Sequence, residues 1–116
     1  MRKFTSHLLG VDQGSNVLFS DFEHDGEMWT GTGPRQFSLP ITFSAPFVHP
    51  PVVHIAMAMW DIDVSANQRV DIVSENITET GFDAVFRTWG DTKVARVRCD
   101  WIAMGQLSDE DSWELY

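Results

Sequence analysis

One cysteine, Cys99, stands in the whole 116-residue sequence, basic residues number 8 against 17 acidic ones, and no apolar run reaches the length of a membrane span. A lone thiol excludes an internal disulfide framework and cannot by itself form a cysteine-based zinc centre. It points to an intracellular origin, or to stability drawn from packing and subunit association instead of crosslinks. The net charge of −9 and the pI of about 4.6 set the chain against phosphate backbones and anionic lipid heads. Neither nucleic acid nor a membrane is therefore an expected partner. Behind the basic start Met1-Arg2-Lys3-Phe4, only Leu8-Leu9 precedes Gly10, which is too little for a signal peptide. Cytoplasmic synthesis is the expectation, with release in a particle or non-classical export for any role outside the cell.

Strict alternation takes up much of what is present. Hydrophobic residues make up 43% of the chain and charged ones 22%, which suits one globular domain with a small core. The expected domain runs over residues 1–106, and an acidic tail follows over 107–116, LSDEDSWELY. In RQFSLPITF the residues Phe37, Leu39, Ile41 and Phe43 share one face, and Gln36, Ser38 and Thr42 share the other. Pro40 cannot donate to a ladder and marks an edge strand or a bulge. VVHIAMAMW (Val52–Trp60) is apolar on both faces, the pattern of a strand covered on both sides. RVDIVSENI is a further strand, and the turn TETG (Thr78–Gly81) leads into FDAVFRTW, where Phe82, Ala84 and Phe86 alternate with Asp83, Val85 and Arg87. In the last strand Ala95, Val97, Cys99, Trp101 and Ala103 face inward, with Arg96, Arg98 and Asp100 outward. No window of ten or more residues carries a capped helical stripe. Short strands at roughly 8–12-residue spacing imply an all-β fold, an antiparallel β-sandwich.

Few residues offer chemistry. The four histidines, His7, His24, His49 and His54, have no metal-ligand spacing among themselves. His54 with Asp61 and Asp63 is the one candidate for a metal, although a single histidine in an apolar strand is ordinarily a packed residue. Cys99 faces inward with no base nearby, and buried cysteines behave as small hydrophobes. WTGTGPR (Trp29–Arg35) is glycine-rich but matches no phosphate loop or dinucleotide fingerprint. The sequon Asn76-Ile77-Thr78 has meaning only in a secreted protein. Arg69 and Arg87 present guanidinium forks on outward faces, either for cross-strand pairing with Asp71 or Asp83 or for recognising hydroxyls. Trp89 stands at the mouth of the Gly90-Asp91-Thr92 turn, either as a lid on the sandwich or as a platform for a ligand.

The order of the motifs adds a resemblance. ITFSAPFVHPPVV (Ile41–Val53), a strand ending in WDID, QRV (Gln68–Val70), TETGFDAVFRTWGDTKV and WIAMG follow one another. The set resembles the H-type lectins, the family of snail agglutinins that also supplies the C-terminal module of the discoidins. It runs in register from about Ile41 to Gly105, and the earlier LFSDFEHDGEMWTGTGPRQF is similar to a bacterial or phage-like branch. The resemblance implies a six-stranded antiparallel β-sandwich, assembled as a homotrimer or hexamer. It also implies binding of galactose- or N-acetylgalactosamine-type sugars between protomers, with no metal, cofactor or catalytic residues. On this resemblance Arg69 and Trp89 are the central sugar contacts. Gly90, followed by Asp91, stands where the snail proteins carry a sugar-contacting histidine, and Ala95 falls at or near the place of a family tyrosine. The loop that a neighbouring protomer contributes corresponds to the region of Gly31-Thr32-Gly33, with Asp25 upstream. The expected sugar set is therefore Arg69, Trp89, Gly90, Asp91, Gly31 and Thr32. Gly90 and Ala95 also motivate a rival expectation: a structural, adhesion or assembly module of a phage-like particle that keeps the fold without the sugar site. A hydrolase would need paired carboxylates in a pocket, and the sequence displays no such pair.

Overall fold

The computed structural model describes residues 1–5 and 8–108. Six strands are present among the described residues, five on the segments that the sequence predicts and the first outside them: β1 (Leu9–Ser20), β2 (Arg35–Thr42), β3 (Val52–Ile62), β4 (Val70–Glu75), β5 (Gly81–Thr88) and β6 (Val94–Gln106). They form two three-stranded antiparallel sheets, in the orders β1-β6-β3 and β2-β5-β4. Among the described residues the only helical pieces are a 3-10 turn over Asp21–His24 and one α-helical turn, α1 (Glu27–Thr30). No helix among them is long and apolar enough to cross a membrane. Of the expected tail, residues 109–116 lie outside the described residues; Leu107 donates its backbone N–H to the Leu8 carbonyl at 3.0 Å and packs against the core.

The core fills the space between the sheets with the residues that alternation selects. Phe82, Ala84 and Phe86 of β5 and Val97, Cys99, Trp101 and Ala103 of β6 are all buried, and these are the central strands of their sheets. Aromatic edges lock the packing, with Phe19 against Phe86 at 5.2 Å and Phe82 against Trp101 at 5.4 Å between ring centroids. Pro40 sits on β2, an edge strand, where its missing donor costs no ladder bond on the open side. Burial pushes the Cys99 thiol up from its ordinary value, which keeps it protonated and unreactive. Native protein is accordingly expected to leave a disulfide reagent unconsumed at pH 8 over an hour, and to react with one equivalent once unfolded. Rapid native labelling would show that the β6 core opens far more readily than its burial implies.

Two strands depart from expectation. β3 is not covered on both sides: Val52, His54 and Ala56 face outward and are exposed, and after the irregularity at Ala58 the register sets Trp60 opposite inward-facing Val97, where it is still exposed. The described residues form two layers, so none of them lies over the outer face of the β1-β6-β3 sheet. β1 carries the reverse of the usual pattern, with Leu9, Val11 and Val17 outward and Gly10, Asp12, Gly14 and Asn16 inward. Its inward polar groups are satisfied locally. Asp12 accepts from the Ser44 backbone N–H at 2.7 Å and its hydroxyl at 2.9 Å, and Asn16 Oδ1 accepts from Trp101 Nε1 at 3.1 Å. Gly14 lacks a side chain because Trp101 occupies the place, its indole lying 2.6 Å from where a Cβ would stand.

The registers bring three connections to one end of the sandwich. Ser20 pairs with Arg96, Ile62 with Val94, and Thr88 with both Arg35 and Val70. The β1–β2, β3–β4 and β5–β6 connections therefore share that end, and every sugar-site residue named from the sequence lies there.

Candidate functional site

Arg69 is the residue placed with most care. It immediately precedes β4, and two buried threonines fix its backbone from both sides. Its N–H donates to Thr92 Oγ1 at 3.0 Å, and its carbonyl accepts from Thr88 Oγ1 at 2.6 Å. The Thr92 hydroxyl in turn donates to the Asn67 carbonyl. With the backbone held, the guanidinium reaches across to the β5–β6 turn, and Nη1 meets Asp91 Oδ1 at 3.0 Å. Asn67 Nδ2 approaches the same carboxylate at 3.4 Å. Both members of the ion pair are about half exposed, so the pair itself contributes little stability, about 0–1 kcal/mol. Its consequence is positional: donors and an acceptor stand side by side in a fixed arrangement facing solvent.

Gly90 explains how the turn is built. Its φ of +71° lies in the left-handed region, and a Cβ there would stand 3.4 Å from Arg69 Nη1. A side chain there would bear the strain of the left-handed backbone, while its Cβ would meet the guanidinium at ordinary contact distance. Ala95 is buried beneath the turn and cannot touch a ligand. Trp89, just beyond β5, keeps 43% of its surface exposed and makes no ring contact with another aromatic among the described residues.

The β1–β2 connection reaches the same turn within one chain. Gly31 caps α1, donating to the Glu27 carbonyl at 2.8 Å, and Gly33 (φ +75°) donates to the Gly90 carbonyl at 2.8 Å. Thr32 is exposed between them. Gly31 must be glycine, because a Cβ would come within 2.5 Å of the Glu27 carbonyl oxygen. Asp25 caps the 3-10 turn, and its carbonyl accepts from Thr30 Oγ1 at 3.2 Å; the acid that meets Arg69 is Asp91.

Arg35, which the alternation places on β2 without singling it out, binds these parts together. It is 7% exposed, and donates Nε to the Gly33 carbonyl at 2.9 Å, Nη1 to those of Met28 at 3.2 Å and Glu27 at 3.4 Å, and Nη2 to that of Gly90 at 3.4 Å. The signal lies in its parity: arginine at an inward position of an alternating strand needs buried acceptors. Arg87 does face outward, but its partners are Gln36 Oε1 at 3.0 Å and Glu75 Oε1 at 2.8 Å, in place of Asp71 or Asp83. Asp83 instead accepts from Asn76 of the sequon at 2.9 Å. His54 pairs with Ile102 and Asp61 with Arg96, well apart along β3. No three metal-ligating side chains come together among the described residues.

Comparison with known proteins gives this geometry a family. The ORF 7 protein of the ATP synthase subunits region of Fuscovulum blasticum is 53% identical over 107 residues, covering 92% of this chain and 93% of its own. Discoidin-1 of Dictyostelium discoideum is 39% identical over 75 residues, 64% of this chain and 30% of the discoidin. The native structure of recombinant discoidin II from the same organism superposes with a TM-score of 0.75 at 26% identity, over 90% of this chain and 40% of that one. The chain thus spans less than half the length of the discoidins it matches. Residues 38–104 match the H-type lectin domain, a span that includes Arg69, Trp89, Gly90 and Asp91 and leaves out Gly31 and Thr32. The motif order read from the sequence and this match agree, and the chain belongs to the H-type lectin domain family.

Proposed function

We propose that this chain is a non-catalytic carbohydrate-binding module whose sugar site is built on Arg69, Asp91 and Trp89. The observation that carries the reading is the Arg69–Asp91 pair, held by buried Thr88 and Thr92 and separated from half-exposed Trp89 by Gly90 alone. The indole covers the apolar C–H face of a pyranose. The remaining N–H groups of Arg69 donate to adjacent hydroxyls, and Asp91 accepts from them. Gly90 leaves the backbone open to close approach, and Gly31 and Thr32 form the rim. Galactose- and N-acetylgalactosamine-type sugars are the first ligands to test, by glycan array and by calorimetric titration. Saturable binding is expected, and a protein that ignores every glycan on a broad array overturns the reading.

We further propose that the working form is a homotrimer, with copies joined through the outer face of the β1-β6-β3 sheet. Leu9, Val11, Val52 and Met104 are exposed there, and Val11, Met104 and Val52 lie in one row across the three strands. A contiguous apolar face of this kind marks an association surface. Met104→Glu places a charge in the middle of that row and is expected to leave a monomer on size exclusion with light scattering. Loss of sugar binding by that monomer would place the site between protomers, and retention would place it within one chain. Several weak sites on one trimer raise surface avidity by roughly 10²–10⁴.

Buried Ala95 and the bare backbone of Gly90 favour a second reading, a structural or assembly module that kept the fold without a sugar site. It predicts a stable oligomer with no saturable glycan binding, and association with a larger particle protein.

A further inference from the structure

Trp89 also borders a cleft of about 310 Å³, whose other walls are Pro34, Arg35, Gln36, Arg87 and Thr88. Neither Arg69 nor Asp91 lines it. None of its lining residues is acidic, in a chain whose net charge is −9. Its two arginines differ in how their charge is met. Arg87 is balanced by Glu75 at 2.8 Å, and Asp71 stands opposite it on β4, yet Nη1 of Arg87 has no partner among the described residues. Arg35 is 7% exposed and, among the described residues, bonded only to backbone carbonyls. No carboxylate lies within 4.0 Å of it among the described residues. Carbonyl dipoles meet this buried charge, and no carboxylate among the described residues neutralises it at the wall of the cleft.

We infer that this cleft is a subsite for an anionic substituent, a carboxylate or sulfate ester carried by the sugar that stacks on Trp89. The inference rests on the carbohydrate-binding reading and narrows its ligand class to acidic glycans. A guanidinium meets a planar carboxylate or a sulfate with two parallel N–H donors, a match that a neutral hydroxyl does not make. Arg87 supplies the contact through its free Nη1 edge, and Arg35 supplies field from behind. Exposed charges farther than about 8 Å are largely screened at physiological ionic strength, so the acids that weigh against an anion here are Glu75, already paired with Arg87, and Asp71 opposite it on β4.

The test is calorimetric titration of the full chain with galactose, galacturonate and galactose 6-sulfate at one ionic strength. Wild type is expected to bind at least one of the two anions about tenfold more tightly than galactose. The galacturonate and sulfate arms separate carboxylate from sulfate, and a preference for either supports the subsite. Arg87→Gln keeps the Gln36 side of the contact and is expected to bring the anion-to-galactose ratio close to one. A wild-type ratio near one, or a ratio that Arg87→Gln leaves unchanged, overturns the inference while galactose binding upholds the carbohydrate reading. Galactose affinity unaffected by Trp89→Ala overturns the proposed site, and with it this subsite. Binding of no sugar by wild type overturns both readings.

Discussion

Trp89→Ala is expected to take glycan binding below detection while leaving the fold intact. A weak lectin site with a millimolar dissociation constant amounts to about −4 kcal/mol. An aromatic anchor at the centre of a contact typically carries about 2 kcal/mol or more, so its loss weakens binding by roughly thirtyfold. The structural cost is small, because Trp89 lies beyond the end of β5, is 43% exposed and packs on no other ring among the described residues. Arg69→Ala is expected to behave alike. It leaves Asp91 without its ion partner, but at an exposed position where that pair contributes about 0–1 kcal/mol. Titration with galactose-type sugars reads the binding, and thermal melting reads the fold. If Trp89→Ala lowered the melting temperature by about ten degrees and left the affinity alone, the indole would be a lid on the sandwich and the proposed site would fall.

Much of the scaffold around this site was legible in the sequence. Alternation over Phe82–Phe86 and Ala95–Ala103 identified two strands and the inward residues of each, because a strand buried on one face must repeat every second residue, although Val85, expected outward, is buried as well. Pro40 pointed to an edge strand or a bulge, and β2 is an edge strand. β1 escaped because its signal is inverted. Its inward face is Gly10, Asp12, Gly14 and Asn16, whose polar groups are met by Ser44 beyond β2 and by Trp101 on the neighbouring strand β6. Such partners are between 32 and 85 residues away in sequence, and no local pattern announces them. β3 misled in the opposite sense, since an apolar outer face reads the same whether its cover is another layer or another copy.

The site was legible in its residue types and hidden in its pairings. Arg69 and Trp89 stood out as a guanidinium and an indole on the outward pattern, but only the three-dimensional registers bring Asp91 to Arg69 across 22 residues. Asn67, Thr88 and Thr92 looked like ordinary turn and strand residues. Thr88 and Thr92 fix the backbone of Arg69 and Asn67 donates to the Asp91 carboxylate, which requires three connections at one end of the sandwich. The place of Gly90 was found and its meaning was not: the absent side chain follows from a φ of +71°, a property of the turn that residue identity alone does not give.

Arg35→Met is expected to be the most destabilising single change at this end of the molecule. Methionine preserves the apolar stem and approximate length, so the effect isolates the guanidinium. Of its four acceptors, two keep other partners: the Glu27 carbonyl still receives Gly31 N–H, and the Gly90 carbonyl still receives Gly33 N–H, each at 2.8 Å. The carbonyls of Met28 and Gly33 are left with no partner among the described backbone bonds, and Met28 is 2% exposed. An unsatisfied buried carbonyl costs about 1–3 kcal/mol, in full at Met28 and in part at half-buried Gly33, so the variant should lose roughly 2–4 kcal/mol. For a domain of this size that is a fall of roughly 10–20 °C in melting temperature. Arg35→Lys restores the charge but not the fork, and should recover part of the stability by meeting one or two carbonyls. The Gly31–Gly33 segment and the Gly90 turn are tied by this one side chain and by the Gly33 N–H, so loosening it should also weaken sugar binding in proportion as the loop frays. A melting temperature within about two degrees of wild type for Arg35→Met would mean that water or a shifted loop meets those carbonyls, and that the end of the sandwich holds its shape without the arginine.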